Sequence, residues 1–499
     1  MKYLVISLIL TIWSTPVDKG RDKVVLSKSL LYDKIKGGWV GQVIGVTYAS
    51  DMQASASMEN ARTENVHWSE GYQLATFTAN PDVYDDIYID LNFLEAIQEY
   101  GTGVTPKKLS EVYLNSTYVM SHGSQSARYN LSKGKSPLRS GYWLDNPHAD
   151  DNDFQIHADF IGMMNPGLPA SAALVSHKVG HLMSFGDGYY GGLYVSTLYS
   201  LAFVSSDIKS IVMRSLSAIP EKSSFFQCVN YAIEQHRQFP YAWDRALGQF
   251  QRKWSKDFGC PDRLIGKEDA DAKMNAAYIT LALLYGEGDF EKTLQIVRSI
   301  RNADANASTV AGLLGVMTGY TKIPEAWKQG IDEIETQPFH HSTLSLADAC
   351  DITFREALNA VENAKGNVTK TDVVIAAQEV PVAKLEKSFE GHYPKEIRNL
   401  SDSAFTDRVD FEFEGIGFVL RGALPEEDSD DVIMAELYLN NKYIEVVEIP
   451  LQKINKRPEL AWKFQLPHDK YVLSLRPLTR NSKHAVRLTE LVVYDVTPN

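Results

Sequence analysis

The hydrophobic pattern of this chain changes period near Gly366, and that change limits what it can fold into. Upstream, from about Leu26, apolar residues recur at helical spacing. Leu91, Leu94 and Ile97 form one such stripe, stopped by Gly101, and residues 274–285 and 347–364 form two more. Downstream, apolar and polar residues alternate. Val409, Phe411 and Phe413 begin the series, Ile416, Phe418 and Leu420 follow, and Ala435, Leu437 and Leu439 lead into a hairpin turn at Asn440-Asn441. Trp462, Phe464 and Leu466, then 472–475 and 491–494, complete several short strands at sandwich-like spacing. At 499 residues the chain also exceeds the roughly 250–300 at which single cores stop growing. The expected architecture is therefore a mainly α bundle at 21–366, a linker at 367–390 and a small C-terminal all-β sandwich at 391–499. The sandwich is expected to cap the helical domain rather than to bind sugar.

Two glycine-rich apolar segments lie inside the helical region: Gly37, Gly38, Gly41 and Gly45 in one, Gly312, Gly315 and Gly319 in the other. Glycine inside a helix costs up to about 1 kcal/mol relative to alanine, so it marks close helix–helix approach. The N-terminus reads as a secretory signal peptide over 1–20: Met1-Lys2, an apolar stretch at 3–13, then Ser14-Thr15-Pro16. That stretch is shorter than the roughly 20 residues that span a bilayer, so export without a permanent membrane anchor is expected. A formal net charge of −13 argues against a nucleic-acid partner. Cys228, Cys260 and Cys350 are too few and scattered for a disulfide framework and read as buried small hydrophobes. There is no Gly-rich phosphate loop and no Cys/His metal spacing.

Chemistry concentrates in acidic segments. Asp85–Asp86 lies within Pro81-Asp-Val-Tyr-Asp-Asp-Ile-Tyr-Ile-Asp90, and a distant counterpart is Asn302-Ala-Asp-Ala-Asn306. Two carboxylates opening a helix, with an acid-and-amide cluster far downstream, supply the hard oxygen ligands that magnesium requires. Acids in a first helical turn are also favoured by the helix dipole whatever their function.

Taken with its neighbours, the pair resembles a known family. Leu31-Tyr-Asp-Lys-Ile-Lys-Gly-Gly-Trp-Val-Gly-Gln-Val-Ile-Gly45 is similar to the opening helix of the ADP-ribosylglycohydrolases. Tyr84-Asp-Asp-Ile resembles their acidic pair, and Asn302-Ala-Asp-Ala-Asn-Ala-Ser-Thr-Val-Ala-Gly312 their late Asp-x-Asp segment. Asp150-Asp-Asn-Asp-Phe-Gln-Ile-His-Ala-Asp-Phe160 and His181-Leu-Met-Ser-Phe-Gly-Asp-Gly-Tyr-Tyr-Gly191 resemble motifs of exported bacterial members. The resemblance implies an all-helical domain with a cleft for one or two magnesium ions. It also implies hydrolysis of a glycosidic bond from ribose, or another furanosyl sugar, to an acceptor, with ADP-ribosyl compounds among the small-molecule substrates. Residue by residue it implies Asp85, Asp86 and Asp304 as metal ligands, with Asn302 at the place of a further aspartate.

The chain departs from the family at Tyr84 and Ile87, where hydroxyl residues usually flank the pair, and at Gln53 and Asn302, where acids are expected. Two acids replaced by amides point to weaker binding of a second ion, a changed substrate, or a non-catalytic sugar- or nucleotide-binding protein. Asp153 and Asp86 are read as acid–base groups. For Asp153 the alternative is a solvated acidic turn with Asp150 and Asp151. Gln155, Asp187, Tyr189 and Asn306 are read as substrate-binding, with Asp187 also a candidate turn residue. Trp143 and Tyr190 are stacking candidates or structural plugs. His157 and His181 read as core or supporting histidines, and His340-His341 receives no role.

Overall fold

Gly37, Gly41 and Gly45 lie along one face of the first helix, Lys28–Ala54, and press it against the helix Ala303–Thr318. A methyl group on Gly41 would sit 2.3 Å from the Ala311 carbonyl oxygen, and one on Gly45 would sit 2.2 Å from that of Ala307. Gly37 and Gly315 meet backbone to backbone in the same way. The two helices run antiparallel, so the end of the first lies beside the start of the second. The glycine segments are thus a packing device, as their composition predicts.

The computed structural model of the chain describes residues 23–54, 68, 71–101, 103–120, 122–255, 270–300, 303–478 and 486–497; the side chains of 51–54 and 401–403 lie outside that description. Also outside it are the expected signal peptide, Asn302 and Cys260, and with them the side chain of Gln53. Around the central helix pair pack Asp85–Tyr100, Pro169–Met183, Asp187–Ala202, Ala272–Gly286 and Leu346–Asn363, which share one large apolar core. Several of these helices are buried all round. Every residue of Asp187–Ala202 and of Ala272–Gly286 is buried, as expected of helices that fill the centre of a large domain rather than its surface. Cys228 and Cys350 are buried, as expected. Among the described residues no helix is long and apolar enough to cross a membrane.

The stretch 367–390 is more than a linker. β2 (Asn367–Val368) and β3 (Asp372–Ala376) join β1 (Lys23–Ser27) in an antiparallel sheet of order β1-β3-β2. Val373 and Ile375 alternate into the helical core. The chain then lies along the helical domain. Gln378 Oε1 accepts from Ala170 N (3.0 Å) and Ser171 N (3.1 Å), Ala383 N donates to Ala218 O (2.8 Å), and Tyr190 Oη donates to Lys384 O (2.7 Å). A two-residue and a five-residue strand give too little alternation to be read from sequence beside long helices.

The C-terminal region is a sandwich of two four-stranded antiparallel sheets. One has order β4 (Tyr393–Ala404)–β11 (Arg487–Asp495)–β6 (Gly417–Ala423)–β9 (Glu459–Lys463). The other has order β5 (Val409–Gly415)–β10 (Asp469–Pro477)–β7 (Val432–Leu439)–β8 (Lys442–Pro450). The first sheet is buried on both faces. Leu491, Val493, Phe418 and Leu420 point into the sandwich core, whereas Val492, Tyr494 and Val419 point outward onto Trp143, Phe389 and Phe464. Trp143 is therefore a plug between the domains. Arg128 Nη1 donates to Ile454 O (3.0 Å) and Gln125 Nε2 to Lys456 O (2.9 Å) across the same junction.

Candidate functional site

The antiparallel glycine seam carries a geometric consequence. Its register brings Tyr48 level with Asp304, in the first turn of Ala303–Thr318. One residue earlier, the Thr47 hydroxyl lies 2.7 Å from the Tyr84 hydroxyl. Tyr84 ends a short 3-10 turn, Pro81–Tyr84, and the next residue, Asp85, opens the helix Asp85–Tyr100. Two helix N-termini with acidic first turns are thereby drawn to one end of the first helix.

The carboxylates feel one another. Asp85 is pushed up to about 6, first because dense protein around it displaces water and then because of the Asp304 charge. Yet solvent reaches the Asp85 side chain. Asp86 is buried, and burial, followed by Asp85, Asp304, Asp90 and Asp159, raises its proton affinity well above the usual carboxylate range. Asp85 Oδ1 also accepts from Asp86 N at 3.1 Å, which braces the helix start.

Behind the acidic pair stands a supporting layer. His157 Nδ1 lies 2.9 Å from the Asp86 carbonyl oxygen and 3.5 Å from Asp90 Oδ1. Burial pushes His157 down to about 4, so the ring is neutral near pH 7 and Nδ1–H donates to that carbonyl. Asp159 Oδ2 accepts from Gln42 Nε2 (3.0 Å) on the first helix, and the Tyr199 hydroxyl lies 3.2 Å away. Gly312 leaves room for both partners, since a methyl there would strike the Tyr199 oxygen at 2.1 Å and Gln42 at 2.8 Å. Sequence reasoning overlooked Asp90, Asp159 and Gln42. Asp90 was findable, being one turn beyond Asp86 on the same helical face.

The other residues read as site candidates lie deeper. Asp153 is buried, and its oxygens accept from Gly123 N (3.1 Å) and Ser124 N (2.8 Å), at the start of the helix His122–Ser132. Its charge is anchored to that helix rather than exposed as a solvated turn. Asp187 accepts from the Ser224 hydroxyl and from Phe225 N (3.2 Å), holding the start of the helix Ser224–Gln238. The oxygen that accepts from Ser224 also lies 3.8 Å from the buried Lys273 Nζ, which pairs with Asp271 at 3.1 Å. Tyr189 is buried, stacked on Phe154 at 6.1 Å between centroids and tilted 4.3 Å from His181. His181 Nε2 in turn lies 3.0 Å from Glu386 Oε1, so it fastens the docked stretch after β3. Asn306 is buried and donates to Asn275 Oδ1 at 2.8 Å, between two core helices. Gln155 differs from all of these: its side chain is fully buried and neither amide atom has a hydrogen-bond partner.

The ADP-ribosylglycohydrolase family model matches residues 27–361, which spans the helical domain and every acidic motif described above. No curated protein matches the sequence. Among solved structures, one described as an ADP-ribosylglycohydrolase-related protein complex is similar at 13% identity and a TM-score of 0.41, covering 66% of this chain and 99% of that one.

Proposed function

This chain belongs to the ADP-ribosylglycohydrolase family, and from that premise we propose that it is an exported hydrolase of a ribosyl or other furanosyl glycosidic bond, assisted by magnesium. The observation that carries the reading is the charge of Asp304 acting on both Asp85 and Asp86, where it is among the influences that raise each member of the pair. Three carboxylates repelling one another form a hard-oxygen donor set that suits a magnesium ion. Asp85, Asp86 and Asp304 would hold the metal, with Asn302 at the remaining family position. Magnesium, when bound, holds sugar hydroxyls and eases deprotonation of water.

The chain's own residues do the rest. His157 fixes the backbone of Asp86, and Asp159 with Gln42 and Tyr199 locks the layer beneath it. Of the two carboxylates read as acid–base groups, Asp86 keeps that role and Asp153 is assigned to positioning, because main-chain amides occupy its oxygens. Gln155 offers an unspent donor and acceptor to a sugar hydroxyl. ADP-ribosyl conjugates, nucleosides and furanosides are the substrate classes to compare. The apolar N-terminal segment at 3–13 supports export.

The amides at Gln53 and Asn302 favour a second reading, a sugar- or nucleotide-binding protein without turnover. One experiment separates them: release of free sugar from the three substrate classes, with and without magnesium, beside calorimetry with the same compounds. Magnesium-dependent release that Asp85→Asn abolishes supports the hydrolase. Sugar binding without release or magnesium uptake supports the binder.

A further inference from the structure

A second constellation lies where the sandwich meets the helical domain. His148 Nδ1 is 2.8 Å from Asp151 Oδ2, and His122 Nδ1 is 3.4 Å from the same oxygen. All three ligand atoms fall within 4.8 Å of one another. From these residues we propose a transition-metal site, zinc by preference, made of other residues than the Asp85–Asp86–Asp304 set and independent of the glycohydrolase reading.

The geometry suits the ion. Zinc bonds to nitrogen and oxygen are about 2.0–2.1 Å long, which sets ligand atoms about 3.4 Å apart in a tetrahedron. The His122–Asp151 pair already has that spacing, and the His148–Asp151 pair has to widen by about 0.6 Å to reach it. Two imidazole nitrogens and one carboxylate select zinc over magnesium, which takes oxygen.

The far side of His148 completes the argument. Its Nε2 lies 3.1 Å from Glu459 Oε2 on β9, and Glu459 Oε1 accepts from Arg421 Nε at 3.0 Å. Asp151, His148 and Glu459 are buried, at 0%, 2% and 2% exposure. Two imidazole nitrogens therefore face one buried carboxylate oxygen. A carboxylate on the outer nitrogen is also the usual partner of a metal-bound histidine.

The scaffold is rigid where the ligands are buried and open where a fourth ligand would enter. Asn152 N donates to Ala270 O (2.6 Å) and Ala272 N to Asp150 O (3.1 Å), which pins the Asp151 loop. Asp153 grips the first amides after His122. His122 itself has φ 49°, a left-handed conformation uncommon outside glycine, and its side chain is 33% exposed. Bound zinc would join this helix start, the 148–151 loop and, through Glu459, the sandwich.

The test uses the full-length protein stripped with a chelator. Zinc uptake is measured by competition with a chromogenic chelator, and metal content by mass spectrometry. Wild type is expected to take up one zinc that millimolar magnesium does not displace. Replacement of surface-accessible His122 by alanine should weaken uptake at least 100-fold with an unchanged circular dichroism spectrum, and His148→Gln should do the same. Glu459→Gln should weaken it about 10–100-fold. Cobalt substitution should give the visible bands of a four- or five-coordinate site, lost in His122→Ala. No uptake by wild type, or uptake unchanged in His122→Ala, overturns the proposal. Uptake lost instead in His340→Ala/His341→Ala overturns it too.

Discussion

Gly41 meets the Ala311 carbonyl so closely that a single added methyl group would lie 2.3 Å from that oxygen. The oxygen belongs to helix backbone and cannot swing aside, so Gly41→Ala forces the two central helices apart. Overpacking of this kind costs about 1–3 kcal/mol. The helical domain should melt several degrees lower, and hydrolysis should fall because Asp304 rides on the displaced helix. Gly103→Ala is the control, since nothing lies within 4 Å of a methyl at that position. Calorimetric scans of both variants check this; equal melting for Gly41→Ala and wild type would remove the seam as the positioning device.

The charge of Asp304, more than 200 residues downstream, acts on both Asp85 and Asp86, and that shared influence on their proton affinity is the basis for assigning all three to one ion. Asp304→Asn and Asp85→Asn should each lower turnover about a thousandfold or more, equivalent to about 4 kcal/mol of barrier. Both should retain the wild-type melting profile within about 1 °C in the absence of metal, or rise above it, because each relieves repulsion. Steady-state rates on the identified substrate decide the matter. Full turnover in both variants would remove magnesium from these residues.

The fold was largely legible because period is a strong signal: helical spacing before Gly366 and alternation after it predict a helical domain and a sandwich. The glycine seam was legible for the same reason, as repeated glycines at helical spacing have few other uses. The site was legible less evenly. Asp85, Asp86 and Asp304 stand in contiguous motifs, whereas Asp159 and Gln42 work through side chains that only the folded helix pair brings together. As letters Asp153 looks catalytic and Asp187 sugar-binding, yet each accepts main-chain amides at the start of another helix. His122, His148 and Asp151 have no metal-ligand spacing in sequence, because one comes from a helix start and two from a loop.

The pH dependence has a worked sign. Asp85, held at about 6 in the fold against an ordinary value near 4, favours the folded state when protonated. Its contribution is complete below about pH 4 and is lost as pH rises through 6. His157, held down at about 4, acts oppositely and weakens the fold as pH falls from about 6.5 towards 4. Comparing metal-free wild type with Asp85→Asn isolates Asp85 together with its interaction with His157. Wild type should gain stability relative to the variant between pH 7 and pH 4.5 in denaturant melts. Magnesium competes with the same proton, so its affinity should fall up to tenfold per unit below pH 6. A flat difference curve would show that Asp85 titrates as an ordinary surface carboxylate.

Gln155 gives the sharpest separation of stability from function. A fully buried amide that neither the protein nor a bound molecule satisfies costs about 1–3 kcal/mol per group, and neither Gln155 amide atom is paired within the protein. Methionine has nearly the same shape and no such requirement. Gln155→Met should therefore leave melting unchanged or raise it by a few degrees, while KM for the sugar substrate rises about tenfold or more. An unchanged KM with raised stability would make Gln155 a site for trapped water only. Lower stability with unchanged KM would mean that the amide supports the helices around Gly191, where a methyl group would meet its oxygen at 2.8 Å.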